Sequence, residues 1–341
     1  MSGEINRRVV LARRPGPDGV DPTCFRLEET AKPTPQPGEL LIRVLWLSCD
    51  PAMRGWIAEG PNYSEPVPLG GVMRSFTLGR VEAGDHPDYP VGAYVSGRQG
   101  WQDWAISDGS DVDRIVDPDQ APLSANLHLL GMTGLTAYLG LVDVGRPKAG
   151  DTLVVSTAAG AVGGAVGQIA KIFGCRTVGI TGSAAKAADC TELYGYDAAL
   201  TYRDYADAEA LSAALAKACP GGVDIYYDMT GGWISDAVMA QLAVGARVVV
   251  VGTMAIPSSP PPTGPRYSRQ ILVKRASMTG FLVLDHFDRL GEAVEQLGAW
   301  YRDGRLRFRE DVIEGLEKAP QALMKLLDGT NRGKVLVKVA D

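Results

Sequence analysis

Hydrophobic residues in the middle of the chain fall into short, nearly continuous runs, and stretches with helical spacing lie between them. The runs predict four strands: Thr152–Ser156, Thr177–Thr181, Val223–Asp228 and Ala246–Gly252. The stretches predict four helices: Val162–Phe173, Ala184–Tyr194, Ala206–Ala218 and Ile234–Ala243. Strands that are apolar on both faces are typical of parallel sheets covered by helices. This alternation therefore predicts right-handed βαβ units and a doubly wound α/β domain.

The two ends of the chain have a different pattern. The beginning is rich in proline, glycine and β-forming residues, and its predicted strands are Glu39–Leu47, Pro90–Ser96 and Trp101–Ser107. Near the other end, the predicted elements are two amphipathic helices, Arg289–Asp303 and Leu316–Leu327, and a last strand, Gly333–Val339. We expect this last strand to return to the β-rich domain. At about 150 residues per domain, the length also predicts two domains.

Composition excludes several classes of function. The net charge is −6, so the chain lacks the basic surface that nucleic-acid binding requires. The five cysteines are scattered without a Cys-x-x-Cys pair, which argues against a disulfide framework and a zinc ribbon. The three histidines, His86, His128 and His286, are far apart in the sequence and form no ligand motif, so we expect no catalytic metal.

Two further segments bear on location. The start of the chain is charged and lacks the apolar stretch of a signal peptide. The segment Thr152–Ala170 is uncharged, but glycines and polar residues interrupt it, so we interpret it as a strand, a turn and a helix rather than a membrane span. We therefore expect a cytoplasmic protein that acts on a small molecule, with no membrane or nucleic-acid partner.

The most informative motif is the glycine turn within Leu153–Gly167, which contains Ala158-x-Gly160-x-x-Gly163. It is the dinucleotide-binding fingerprint with alanine in place of the first glycine. A small residue at Gly160 lets the backbone approach a pyrophosphate, and the next helix offers unpaired amides and the positive end of its dipole. Gly163 and Gly167 let the helix lie close to the sheet. The alternative is a purely structural glycine turn.

The choice between NAD and NADP is made at the end of the second strand, where an NAD site usually carries an acid for the ribose. Here Val178–Ser183 contains no acid, and Lys186 follows in the next helix. Ser183 and Lys186 suit the extra phosphate of NADP, and Tyr202, after the short strand Ala198–Thr201, is placed to close over it. The alternatives are a solvated surface lysine and an ordinary packing tyrosine.

Several strings resemble a known family. They are Leu47–Gly55, Gly131–Tyr138, Ala158–Gly163, Cys219–Asp228, Arg309–Pro320 and Gly329–Lys334. With them the chain resembles, over nearly its whole length, the zinc-independent medium-chain dehydrogenase/reductases. The branch it resembles most contains the prostaglandin/leukotriene reductases, the plant alkenal double-bond reductases and bacterial curcumin reductase.

The resemblance implies NADPH-dependent reduction of the carbon–carbon double bond of α,β-unsaturated ketones or aldehydes, usually by a homodimer. It implies a GroES-like β-rich domain over residues 1–128 and 311–341 and a Rossmann NADP-binding domain over residues 129–310. Carried over by position, the residues that would meet the cofactor are Gly160, Ala161, Val162 and Gly163 at the pyrophosphate, Ser183, Lys186 and Tyr202 at the adenosine phosphate, Phe281, Val283 and Asn331 near the nicotinamide half, Thr133 near the ribose or the active-site floor, and Gly252.

The chain departs from the family pattern where a proton donor is expected. Ala52 stands where the family usually has tyrosine, Met229 replaces an asparagine, and Val273 falls near a further missing tyrosine. Ala52 and Val273 together suggest a roomier or more apolar pocket. The remaining candidate donors are Tyr63 and Tyr267, the latter in a proline-rich loop that begins at Pro257. The rival functions are an NADPH-dependent quinone or carbonyl reductase and an NADPH-binding protein without catalysis.

Overall fold

The computed structural model describes residues 4–16, 19–59, 62–255, 264 and 266–341. The chain divides into two compact units. One comprises the chain up to Leu127 together with Glu310–Asp341, and the other comprises His128–Arg309. Most of the proline-rich run, for which the sequence predicts a loop, lies outside the described residues, as do positions 60 and 61 before Tyr63.

The first unit is built on an antiparallel sheet. Its elements before the crossover are β1 (Ile5–Leu11), β2 (Phe25–Ala31), β3 (Leu40–Ser48), α1 (Met53–Trp56), β4 (Thr77–Gly84), β5 (Tyr94–Gly97), β6 (Trp104–Ser107) and β7 (Val112–Val116). Strands β1 and β2 form a separate antiparallel pair, and β3 pairs with both β4 and β6. The sequence prediction missed β1, β2, β4 and β7.

The second unit alternates strands and helices. Its elements are α2 (Met132–Leu139), β8 (Thr152–Ser156), α3 (Ala161–Ile172), β9 (Arg176–Thr181), α4 (Ala184–Ala188), β10 (Ala198–Thr201), α5 (Ala208–Ala218), β11 (Val223–Asp228), α6 (Gly232–Met239), β12 (Leu242–Val250), α7 (Ser268–Lys274), β13 (Ser277–Gly280) and α8 (Leu290–Arg302). The six strands are parallel, in the order β10-β9-β8-β11-β12-β13.

The end of the chain completes the sheet of the first unit. It forms β14 (Glu310–Glu314), α9 (Ala319–Leu327) and β15 (Lys334–Lys338). Strand β15 lies antiparallel to β3, with Leu336 opposite Ser48, and parallel to β14. The order of the sheet is β14-β15-β3-β4-β5-β7, with β6 on β3. The predicted return of the last strand to the β-rich part of the chain is confirmed.

The fold class is confirmed: the chain forms one β-rich unit of mixed, mainly antiparallel pairing and one unit with a doubly wound parallel sheet. Buried residues of the central strands, such as Val154 and Tyr226, pack with Leu211 of α5 and Val238 of α6. No helix in the described part of the chain is long and apolar enough to span a membrane.

Two of the predicted helices contain a turn that is not α-helical in the structure. The helix predicted over Ala184–Tyr194 stays α-helical only to Ala188 and then widens into a π-helical turn, Asp189–Leu193. The helix predicted from Leu316 begins as a 3₁₀ turn, and α9 begins at Ala319. Pro320 explains this start, because proline has no amide hydrogen and is favoured in the first turn of a helix.

Candidate functional site

The glycine turn lies between β8 and α3. Thr157 adopts a left-handed backbone conformation with φ 52°, and Gly160 caps α3 without any side-chain hydrogen bond. A Cβ added at Gly163 would lie 2.5 Å from the Thr157 carbonyl oxygen and 2.7 Å from the Ala158 Cα. The turn therefore needs glycine at this position, and it leaves the first amides of α3 without side-chain acceptors. An uncapped helix N-terminus beside a tight turn fits the pyrophosphate of a dinucleotide.

Two tyrosine rings pack against glycines of α3. A Cβ at Gly164 would lie 2.9 Å from the Tyr194 ring, and one at Gly167 would lie 2.1 Å from the Tyr196 ring. The Tyr196 hydroxyl donates to the Gly163 carbonyl oxygen at 2.6 Å, and burial raises the pKa of Tyr196 well above its usual value. Gly167 thus makes room for a tyrosine ring, which the sequence did not indicate.

A buried aspartate ties the neighbouring strand to this turn. Asp228, at the end of β11, accepts hydrogen bonds from the Thr230 amide at 2.9 Å, the Gly231 amide at 3.0 Å and the Ser235 hydroxyl at 2.6 Å. The Met229 amide donates to Ser156 Oγ at the end of β8 at 2.8 Å. Sequence reasoning missed this network, although an aspartate that ends a buried strand before Thr-Gly-Gly was a usable signal.

The residues predicted for the adenosine phosphate lie at the ends of β9 and β10. Ser183 caps α4 and accepts from the Lys186 amide at 3.4 Å. Tyr202 begins the turn after β10, and its ring lies beside Gly182, where an added Cβ would be 3.3 Å from the ring. The structure thus brings Tyr202 to the residue that precedes Ser183.

The residues predicted for the nicotinamide half lie in two units. In the second unit, the Thr133 hydroxyl donates to the His128 carbonyl oxygen at 2.7 Å, and the Phe281 ring stacks on His286 with centroids 4.8 Å apart. Gly252 lies against the backbone of Met229. A Cβ added at Gly252 would lie 2.9 Å from the Met229 carbonyl oxygen. Val283 begins a 3₁₀ segment after Phe281.

Asn331 belongs to the first unit, in the loop before β15, where its amide donates to the Gly333 carbonyl oxygen at 2.7 Å. Next to it, Lys334 Nζ lies 2.5 Å from Asp50 Oδ1 and 2.9 Å from the Cys49 carbonyl oxygen. The side chain of Lys334 is 3% exposed and that of Asp50 is 12% exposed. Sequence reasoning missed this ion pair because the two partners are far apart in the chain.

The charge of Asp50 in this ion pair also acts on Tyr63. Its ring is half exposed, and the preceding Asn62 packs over Gly55 of α1. Burial raises the pKa of the Tyr63 hydroxyl and the Asp50 carboxylate adds to this, whereas Trp56 and Arg74 act in the opposite direction. Tyr63 therefore keeps its proton at neutral pH and presents it on a half-exposed side chain.

Tyr267 is differently placed. Its hydroxyl donates to Asp236 Oδ1 on α6 at 2.5 Å. Burial raises the pKa of Tyr267, and so does the bond to Asp236. The proton that Tyr267 would give to a substrate is thus engaged by a carboxylate.

The three departures from the family pattern also have defined surroundings. Ala52 is partly buried and packs against the core of the first unit. Met229 is nearly buried, with its sulfur 3.7 Å from the Thr157 hydroxyl. Val273 lies half exposed on α7.

Comparison with known proteins shows to which family the chain belongs. Residues 7–115 match the family model described as the N-terminal domain of oxidoreductase, and residues 161–299 match the zinc-binding dehydrogenase model. The NADPH-dependent curcumin reductase of Escherichia coli is 44% identical over 98% of this chain and 97% of that enzyme. The chain belongs to the medium-chain dehydrogenase/reductase family. Its relatives place it in the branch of curcumin and prostaglandin reductases.

Two further comparisons agree with this family branch. Prostaglandin reductase 1 of Oryctolagus cuniculus is 38% identical over 91% of this chain and 87% of that enzyme. The crystal structure of CurA from Vibrio vulnificus in complex with NADPH superposes with a TM-score of 0.90 at 40% identity, covering 98% of this chain and 99% of that one.

The second family model is named for zinc-binding members. Among the described residues, no three His, Cys, Asp or Glu side chains cluster in a way that would hold a metal ion. The residues present in this part of the chain therefore do not fit a zinc ion.

Proposed function

We propose that this protein reduces the carbon–carbon double bond of α,β-unsaturated ketones and aldehydes. It is an NADP-dependent oxidoreductase, and NADP(H) is its cofactor. The observation that carries the proposal is the 44% identity, over nearly the full length of both chains, to an NADPH-dependent curcumin reductase. The prostaglandin reductases, matched over more than nine-tenths of this chain, support the same reaction class.

The residues of the second unit fit the cofactor. We assign the amides of Ala161, Val162 and Gly163 to the pyrophosphate, because they form the uncapped first turn of α3. Ser183 and Lys186 are assigned to the adenosine phosphate, since a hydroxyl and a lysine complement a phosphate group at the end of β9. When bound, NADPH supplies the hydride.

The protein must then stabilise the negative charge that forms on the substrate and supply a proton. Addition of hydride at the β-carbon places negative charge on the substrate carbonyl oxygen, which a hydrogen-bond donor stabilises. The α-carbon then takes up a proton, so that the product gains two hydrogens. We assign Tyr63 as the donor because its raised pKa keeps the hydroxyl protonated and half of its surface is exposed. Tyr267 is the weaker candidate, since its hydroxyl already donates to Asp236.

The test is to identify the product. Purified protein is incubated with a small enone and NADPH that carries deuterium at the transferable position, and the product is analysed by mass spectrometry and NMR. The proposal predicts the saturated ketone with deuterium at the β-carbon. An allylic alcohol, or turnover of quinones alone, would favour the carbonyl or quinone reductase. Oxidation of NADPH by none of these substrates would favour the protein without catalysis.

We also propose a homodimer that forms through the second unit. Strand β13 lies at the edge of the six-stranded sheet, and its four residues are all exposed. On α7, Leu272 is 76% exposed and Val273 is 50% exposed. An edge strand next to exposed apolar side chains suits pairing with a second copy. Light scattering coupled to gel filtration should give twice the chain mass of 36.2 kDa, whereas a monomer mass would contradict the proposal.

A further inference from the structure

Trp233 is the first large side chain after the loop that follows β11. Gly231 and Gly232, with φ 67° and 63°, turn the chain into α6, and Trp233 follows directly. Its indole is 37% exposed. Among the described residues, it does not belong to the core cluster around Val154 and Tyr226, whereas Ile234, the next residue, does. Packing in this cluster therefore does not account for a tryptophan at this position.

Among the described residues, the indole has one aromatic neighbour, Tyr202. The two rings meet edge to face, with centroids 5.9 Å apart and an interplanar angle of 75°. Tyr202 itself packs on the core and lies against Gly182, and the Arg203 guanidinium is 5.7 Å from its ring. The tyrosine is thus held in place, and it supports the exposed tryptophan from one side.

The position of this pair in the sheet connects it to the cofactor. Tyr202 follows β10 and Trp233 follows β11, and the strand order is β10-β9-β8-β11. The contact between the rings therefore bridges the carboxyl ends of β9 and β8. In open parallel sheets a dinucleotide lies at these ends, where the strand order reverses. Its adenine is a flat aromatic ring, and such rings stack on exposed aromatic side chains.

We propose that Trp233, braced by Tyr202, is a cofactor-binding residue that forms the wall against which the adenine of NADP(H) stacks. The proposal rests on NADP(H) being the cofactor but not on the identity of the substrate. The substitution Trp233→Ala removes the stacking surface and leaves the pyrophosphate turn and Lys186 intact. We expect the loss to be about tenfold in affinity for a ligand that contains adenine.

The test uses two halves of the cofactor in titration calorimetry. Adenosine 2′,5′-bisphosphate contains the adenine and the extra phosphate, and reduced nicotinamide mononucleotide contains neither. Trp233→Ala should bind the bisphosphate about tenfold more weakly and the mononucleotide unchanged, and Trp233→Phe should lose less. Trp300→Phe is the control, because Trp300 contacts Tyr138 and Phe173 instead. Unchanged bisphosphate affinity in folded Trp233→Ala would overturn the proposal.

A second measurement does not depend on the alanine variant folding. The bisphosphate should protect part of the tryptophan fluorescence of the parent protein from acrylamide quenching. This protection should disappear in Trp233→Phe and persist in Trp300→Phe. Equal protection in all three proteins would also overturn the proposal. Neither measurement uses an enone, so either result stands apart from the test of the proposed reaction.

Discussion

Replacing Gly163 by alanine tests the geometry of the glycine turn. The added Cβ would lie 2.5 Å from the Thr157 carbonyl oxygen, 2.7 Å from the Ala158 Cα and 2.9 Å from the Ala158 carbonyl oxygen. All three atoms belong to the backbone, so no side chain can move aside. Reaching an ordinary separation of 3.4 Å requires α3 and the turn to part by about 0.9 Å.

This displacement has two consequences of known size. Overpacking of this kind destabilises by about 1–3 kcal/mol. Alanine recovers up to about 1 kcal/mol because it is a better helix former than glycine. We therefore expect a net loss of stability of up to about 3 kcal/mol. The first amides of α3 would also move by more than the tolerance of a hydrogen bond, so NADPH affinity should fall at least about tenfold.

The control is the same substitution at Gly291, near the start of α8. A Cβ at Gly291 has no heavy atom within 4 Å, and its φ is not in the left-handed region. Gly291→Ala should therefore stabilise the protein by up to about 1 kcal/mol and leave NADPH affinity unchanged. Urea denaturation and fluorescence titration with NADPH measure both quantities. If Gly163→Ala matches Gly291→Ala in both, the steric reasoning is refuted.

Three further predictions concern the other parts of the site. Tyr63→Phe should lower kcat by about 10²–10⁴-fold without changing the NADPH Kd, and an unaltered kcat would remove Tyr63 from the mechanism. The kcat of the parent protein should not fall as the pH rises towards the usual tyrosine pKa of about 10, because burial raises the pKa of Tyr63 and keeps its hydroxyl protonated. Lys186→Ala should weaken NADPH binding by about 10–100-fold and leave NADH binding unchanged, and equal losses for both would contradict the assignment. Lys334→Met should lower the free energy of unfolding, measured by urea denaturation, by about 3–5 kcal/mol, because the nearly buried Asp50 carboxylate loses its cation. Adding Asp50→Asn to this variant should restore much of the loss. A double variant no more stable than the single one would show that the two charges are not coupled.

The sequence by itself determined the local parts of the second unit. The strands Thr152–Ser156 and Val223–Asp228 have the predicted bounds, and α3 begins one residue before the predicted start at Val162. These elements are set by apolar runs and by glycines close in the sequence, so their pattern is visible locally. Dinucleotide binding was predicted from the same stretch, because a glycine turn between a buried strand and a helix is typical of such sites, and NADP was predicted from the end of the second strand and Lys186.

Only the tertiary structure decided what distant residues do to one another. The Tyr267 hydroxyl donates to Asp236, Tyr196 fills the space that Gly167 leaves, and Lys334 pairs with Asp50 from 284 residues away. Strand β13 escaped prediction because its side chains are exposed and it gains order by pairing with β12. Local periodicity reports which face of an element is buried, but it carries no information on which residue lies opposite. The environment of a candidate proton donor such as Tyr63 therefore depends on the folded chain.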